Sequence, residues 1–124
     1  MFSSISPVVE TMRRCVYYCM RPQPLSFPAI SRALLKLPEW RVDGNNSGII
    51  HREFTFKDFS DAIKFMNAVA VECEAAGHHP TWENKYNKVS VRLTTHDAGN
   101  RVTQKDIDLA LKMNEAFERT LTNN

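Results

Sequence analysis

The sequence predicts an α+β fold: a four-stranded antiparallel sheet with three helices packed on one face, in the order α-β-β-α-β-β-α. Two hairpin patterns, each with turn residues at its centre, predict the sheet. A long run of apolar residues at three- and four-residue steps lies between them, and a helical pattern flanks each end. Hairpins separated by a helix favour antiparallel pairing with the helices gathered on one face.

The first element starts at Ser26, which can cap a helix that tolerates Pro28 in its first turn. Ile30, Ala33, Leu34 and Leu37 supply its apolar stripe, and Pro38 ends it. The stretch "EWRVDGNNSGIIHREFTF" reads as a hairpin. Trp40 and Val42 open its first strand, and "DGNNSG" is turn chemistry. In the second strand Ile50, Arg52, Phe54 and Phe56 alternate with Ile49, His51, Glu53 and Thr55.

Residues 57–76 form the longest helical pattern, with Phe59, Ala62, Ile63, Met66, Val69, Ala70, Cys73 and Ala76 in phase and Phe65 and Val71 off the stripe. So broad a stripe suits a helix that packs on a sheet and also meets a second subunit. Gly77 stands where a C-cap glycine belongs. The second hairpin places Trp82, Asn84 and Tyr86 on one face, turns at Asn87, and places Val89, Val91 and Leu93 on one face. Thr103 can cap the last helix, with Asp106 three residues later in a near capping box. Ile107, Ala110, Leu111, Asn114, Phe117 and Leu121 trace that helix's inner stripe.

The chain of 124 residues suits one domain, and 43% hydrophobic residues suffice for one core. A net charge of +2 is too small for a nucleic-acid footprint. No apolar run approaches the roughly 18 residues that a spanning helix needs, so no membrane partner is expected. Cys15, Cys19 and Cys73 form no CxxC pair, which argues against a disulfide scaffold or a thiolate zinc site.

Residues 1–25 stand apart as an N-terminal leader, with residues 26–124 as the domain. The leader carries Arg13, Arg14 and Arg21 against Glu10. The remainder is formally neutral, with 13 basic and 13 acidic residues. Val8, Val9, Met12, Cys15, Val16, Cys19 and Met20 recur at helical spacing. A basic, acid-poor, serine-containing amphipathic leader is the pattern of a mitochondrial transit peptide. The alternative is a plain N-terminal extension on a cytoplasmic protein.

The chemistry-bearing residues centre on "EAAGHHPTWENKY". Pro80 biases His79 toward extended backbone, and neighbouring side chains in extended chain point to opposite sides. His78 and His79 are therefore poorly placed to chelate one ion together. His96 lies at the end of the fourth strand, where a bulge could re-aim it. Three readings stay open: a zinc site completed by Glu74 or Asp97, exposed polar residues at a turn and a strand end, or acid–base catalysis. An unperturbed imidazole pKa of roughly 6.5 suits the last. No GxSxG pattern accompanies these histidines, and Cys73 sits on an apolar stripe, which disfavours covalent catalysis.

The constellation resembles the pterin-4a-carbinolamine dehydratase family. The family signature is an acidic residue, three positions, His-His-Pro, an aromatic, a later histidine and an aspartate. Here it reads Glu74, His78-His79-Pro80, Trp82 with Tyr86, His96 and Asp106, and "FTFKDFSDAIKFMNAVA" and "NKYNKVSVRLTTHD" are also similar. The resemblance covers about residues 26–120.

It implies a hydro-lyase that removes water from 4a-hydroxytetrahydropterin to give quinonoid dihydropterin, recycling a tetrahydrobiopterin-type cofactor of aromatic amino-acid hydroxylases. The pterin is then the substrate, with no cofactor and no metal. His78, His79 and His96 match the family's catalytic histidines, with His78 and His96 for proton transfer and His79 orienting the pterin. Glu74 and Asp106 would support them. Gly77, Trp82, Thr94, Thr95 and Asp97 would bind substrate, although some relatives carry Asp in place of Gly77. A homodimer or homotetramer through helix 57–76 is implied as well. The alternative function is that of a protein-binding relative, since one animal branch stabilises dimers of a homeodomain transcription factor and some plant-type relatives act in protein assembly.

Overall fold

The computed structural model describes residues 22–44 and 46–122, so the expected leader helix falls outside the described residues. The elements run α1 (Phe27–Leu34), β1 (Arg41–Val42), β2 (Ile50–Thr55), α2 (Phe59–Ala76), β3 (Thr81–Lys85), β4 (Lys88–Leu93) and α3 (Gln104–Thr122), with one 3-10 turn at His96–Ala98 before α3. This is the expected order. The four strands form one antiparallel sheet in the spatial order β1-β2-β4-β3. Among the described residues no helix is long and apolar enough to cross a membrane.

Local chemistry sets most boundaries. Ser26 accepts from the Ala29 amide, and Pro28 fits the first turn of α1 because that turn has no intrahelical use for its N–H. The helix ends at Leu34, four residues before Pro38. Asp58 caps α2 by accepting from the Asp61 amide, so the helix starts at Phe59. Gly77 closes it in the left-handed region at φ 62°, where a β-carbon would cost energy. In the β3–β4 turn it is Tyr86 that takes the positive φ of 54°, which leaves its ring exposed rather than beside Trp82. Asn87 contributes differently. Its side-chain amide donates to the Phe56 carbonyl, and its own carbonyl accepts from the Phe56 amide.

The core lies between the sheet and the helices. Ile50, Phe54, Val89, Val91 and Leu93 point from the sheet into it, as the alternation predicts. Phe54 is central, with ring centroids 4.6 Å from Phe65, 5.2 Å from Phe117 and 6.0 Å from Trp40. Arg52 shares this face and survives there through its neighbours. Its guanidinium carbon sits 4.2 Å from the Phe54 ring centroid and 5.0 Å from that of Phe117, a cation–π sandwich. Burial pushes its pKa down, opposed by the nearby charges of Glu39 and Glu118. Asn114, the one polar residue of the expected α3 stripe, accepts from Arg52 Nη1 at 2.5 Å and from Trp40 Nε1 at 2.9 Å. Trp40 thus precedes the two-residue β1 and serves as core.

Two helical stripes match expectation only in part: Ala62, Val69 and Cys73 on α2 and Ile107 and Ala110 on α3 are buried as expected, and other positions are not. On α2 the residues buried against the sheet are Ala62, Phe65, Val69 and Cys73. Phe65 is fully buried, whereas Phe59 is half exposed and Ala76 exposed. Residues 62, 65, 69 and 73 follow a strict 3-4-4 spacing, and 59, 63, 66 and 70 form the neighbouring, less covered stripe. On α3 the buried apolar set is Ile107, Leu109, Ala110, Met113 and Ala116, while Leu111 and Leu121 face outward. Phe65→Ala is expected to cost about 3–5 kcal/mol, and Leu111→Ala under about 1 kcal/mol. Urea denaturation followed by tryptophan fluorescence measures both, and the reverse order would refute this phase assignment.

Candidate functional site

Asp106 is fully buried although it carries a carboxylate, and its surroundings explain how. Thr103 caps α3 and Asp106 occupies the third helical position, so the Asp106 carboxylate reaches back to the Thr103 amide at 2.9 Å. Thr103 in turn accepts from the Lys105 amide through its hydroxyl. The same Asp106 oxygen, Oδ2, accepts from the Thr95 hydroxyl at 2.8 Å. Because Thr95 spends its hydrogen there, the Thr103 hydroxyl donates to Thr95 across 2.7 Å. The other oxygen, Oδ1, accepts from His78 Nε2 at 2.6 Å. Three donors on one buried carboxylate offset much of its desolvation.

These contacts join two distant segments. Pro80 and the end of α2 present His78 inward, where it is nearly buried, and His79 outward. His79 Nε2 donates to Glu74 Oε1 at 2.8 Å on the surface, one turn back on α2. Opposite them, the chain leaves β4 at Leu93 and winds into the His96–Ala98 turn. The Thr95 carbonyl accepts from the amides of Ala98, Asn100 and Arg101, and the loop closes with the Thr95–Arg101 bridge. This turn, rather than strand parity, sets the direction of His96. Its Nδ1 meets Asn100 Oδ1 at 2.7 Å.

Between the segments lies a cavity of about 250 Å³, lined by Gly77, His78, His79, Pro80, Thr81, Thr95, His96, Asp97 and Lys105. The structure thus gathers the three histidines, Gly77, Thr95 and Asp97 around one opening, with Asp106 directly behind His78. Glu74 stands outside, on His79. Trp82 and Thr94 are placed elsewhere. Trp82 pairs with Val91 and packs half-buried on the core side of the sheet. Thr94 donates to the Gly48 carbonyl at 2.7 Å.

Lys105 and Thr81 are lining residues that the sequence reading passed over. Lys105 sits one position before Asp106 in the first turn of α3, and Thr81 shares the parity of His79 beyond Pro80. Those two spacings are the signals that could have found them. A larger apolar groove of about 370 Å³ between α1 and α3 holds no histidine or carboxylate. Cys73 is buried in the core, and burial, with the charges of Glu74 and Glu72, pushes its thiol pKa up. Among the described residues, no three His, Cys, Asp or Glu side chains group as a metal ligand set.

What the arrangement can do is move protons. The carboxylate requires a hydrogen on His78 Nε2, which leaves Nδ1 for exchange with a bound molecule. His96 and His79 add two further imidazoles within the same cavity. Asp106→Ala would strand the donors of His78, Thr95 and Thr103. It is expected to cost about 3–5 kcal/mol, whereas Asp106→Asn, which keeps an acceptor for Thr103, should cost clearly less. Equal losses in urea denaturation would refute the hub role of the carboxylate.

Comparison with known proteins gives a consistent picture. The family model for pterin 4 alpha carbinolamine dehydratase matches residues 23–116. A curated relative from Prochlorococcus marinus (strain MIT 9515), named as a candidate pterin-4-alpha-carbinolamine dehydratase, is 40% identical over 100 residues. That match covers 81% of this chain and 100% of the relative. A relative of the same name from Mesorhizobium japonicum is 46% identical over 98 residues, covering 79% of this chain and 98% of its own. The crystal structure of a transcriptional coactivator/pterin dehydratase from Brucella melitensis superposes with a TM-score of 0.72 at 41% identity, covering 76% of this chain and 98% of that one.

Proposed function

This chain belongs to the pterin 4 alpha carbinolamine dehydratase family, and we propose that it converts 4a-hydroxytetrahydropterin to quinonoid dihydropterin and water by histidine acid–base catalysis. The observation that carries this reading is the His78–Asp106 pair facing His96 across one small cavity. The elimination needs one proton delivered and one removed. The C4a–O bond breaks as the hydroxyl takes a proton and leaves as water, the N5–H bond gives its proton to a base, and its electron pair forms the C4a=N5 bond. No electron carrier enters the balance, so two imidazoles in opposite protonation states suffice.

Within this reading His78 and His96 exchange protons with the substrate, and His79, held by Glu74, orients the pterin. A cavity of about 250 Å³ suits a compact bicycle, being smaller than the roughly 300–1,000 Å³ of drug-sized sites. Lys105 and Asp97 would supply polar contacts along the ring edge, while Thr95 lines the same opening with its hydroxyl committed to Asp106. The product would return a tetrahydrobiopterin-type cofactor to its cycle. The half-covered stripe of Phe59, Ile63, Met66 and Ala70 on α2 supports a second copy as partner, in a homodimer or homotetramer. The basic leader supports mitochondrial targeting, with a cytoplasmic enzyme as the alternative.

The decisive experiment is stopped-flow dehydration of synthetic carbinolamine. The full chain should exceed the buffer rate, chelator should leave that rate unchanged, and His96→Ala should lower kcat about 100-fold. A wild-type rate equal to buffer refutes the enzyme reading. An unchanged kcat in His96→Ala refutes the role of His96.

A further inference from the structure

The hydrogen bond between His96 and Asn100 has a consequence for the chemistry of His96. We propose that Asn100 is a positioning residue that fixes the tautomer of His96. Its side-chain oxygen holds the hydrogen on Nδ1 and so leaves Nε2 with a lone pair, ready to accept a proton in the cavity. The contact is 2.7 Å between Nδ1 and Oδ1, and an amide oxygen can only accept. Nε2 makes no hydrogen bond to another described residue.

The backbone of Asn100 is held on several sides, which fixes the point from which its side chain reaches His96. Its amide donates to the Thr95 carbonyl at 3.1 Å, closing the loop that carries His96. Its φ of 59° lies in the left-handed region, where asparagine is among the few non-glycine residues at ease. Its carbonyl lies against Gly48 so closely that a β-carbon at position 48 would come within 2.3 Å of it. Gly48 is pinned in turn, since its carbonyl accepts from Thr94 and its amide donates to Asn46. The loop between β1 and β2 therefore backs the loop of His96. An exposed hydrogen bond between two free side chains would be a weak director, because water competes for both. Here the backbone of Asn100 is fixed, so only its own side-chain torsions have to settle for Oδ1 to meet Nδ1, and one hydrogen bond can bias two tautomers of similar energy.

In the proposed dehydration, the Nε2 lone pair takes the N5 proton while the N5–H electrons form C4a=N5 and the hydroxyl leaves with a proton from a second group. This kinetic consequence rests on the dehydratase reading, but the tautomer claim does not. The contact also differs in kind from that of His78, whose partner is a buried carboxylate on Nε2. The two rings are thus held by opposite nitrogens.

The test compares wild type, Asn100→Gly and Asn100→Asp. Glycine keeps the left-handed backbone and removes the acceptor; aspartate keeps an acceptor in the same place. Long-range ¹H–¹⁵N spectra, recorded at alkaline pH, read the tautomer directly. Wild type and Asn100→Asp should show His96 with its hydrogen on Nδ1, and Asn100→Gly should move toward the Nε2–H form. Backbone spectra of the glycine variant report whether the loop has stayed folded, and aspartate gives the independent arm if it has not. An Nε2–H ring in wild type, or an unchanged ring in a folded Asn100→Gly, overturns the proposal. In stopped flow, kcat/KM should fall about five- to tenfold in Asn100→Gly, the kinetic equivalent of one neutral hydrogen bond, and recover in Asn100→Asp. If wild type shows no dehydration, the dehydratase reading fails while the spectra still decide the role of Asn100.

Discussion

A carboxylate with no exposed surface must be fully hydrogen-bonded or it unfolds its surroundings, and Asp106 meets that constraint by tying three parts of the chain together. Its bond to the Thr103 amide starts α3, its bond to the Thr95 hydroxyl anchors the exit of β4, and its bond to His78 fixes the exit of α2. The helix cap and the site are the same atoms. A cavity built this way does not need a rigid loop of its own, because the ends of α2, β4 and α3 are rigid already and only their junction has to be specified. Polar groups are normally confined to the edge of a core. Here a polar knot sits at one end of the apolar core and is closed on itself, with donor and acceptor matched at each link.

The elements that could be read from the sequence were those with local punctuation. Ser26, Gly77 and the Thr103–Asp106 pair mark helix ends through chemistry that acts within a few residues, and the structure carries all of them. The two hairpins are equally local. Helix phase was less legible. On α2, residues 59, 63, 66 and 70 are as apolar as 62, 65, 69 and 73, and one step of rotation separates the two sets. Docking against Phe54 and Phe56 selects the second set through Phe65, and nothing within the helix itself carries that information. The same holds for Leu109 and Met113 against Leu111 and Leu121 on α3.

The site divides along the same line. His78, His79, His96 and Asp106 were legible because few other residue types do acid–base work, and their spacing matched a family pattern. Trp82 was expected at the cavity and lies on the core side, since strand parity placed it with Val91. The Thr95–Thr103 hydroxyl link, Lys105, Thr81 and Asn100 escaped notice because threonine, lysine and asparagine at strand ends and helix starts are commonplace. Their significance comes from contacts that a linear reading does not contain. Membership of the family, shown by residues 23–116, sets the frame in which those contacts can be understood.

Gly48 illustrates how far such contacts constrain inheritance. A hairpin loop on the surface is ordinarily the part of a protein most open to substitution and insertion. This one has a side that is not surface at all, because the Asn100 carbonyl occupies the space a side chain would need. Lineages that alter the loop after His96 must therefore alter the loop before β2 in step, or lose the fit between them. Two stretches roughly fifty residues apart in the chain should drift as one unit, even though only one of them touches the cavity.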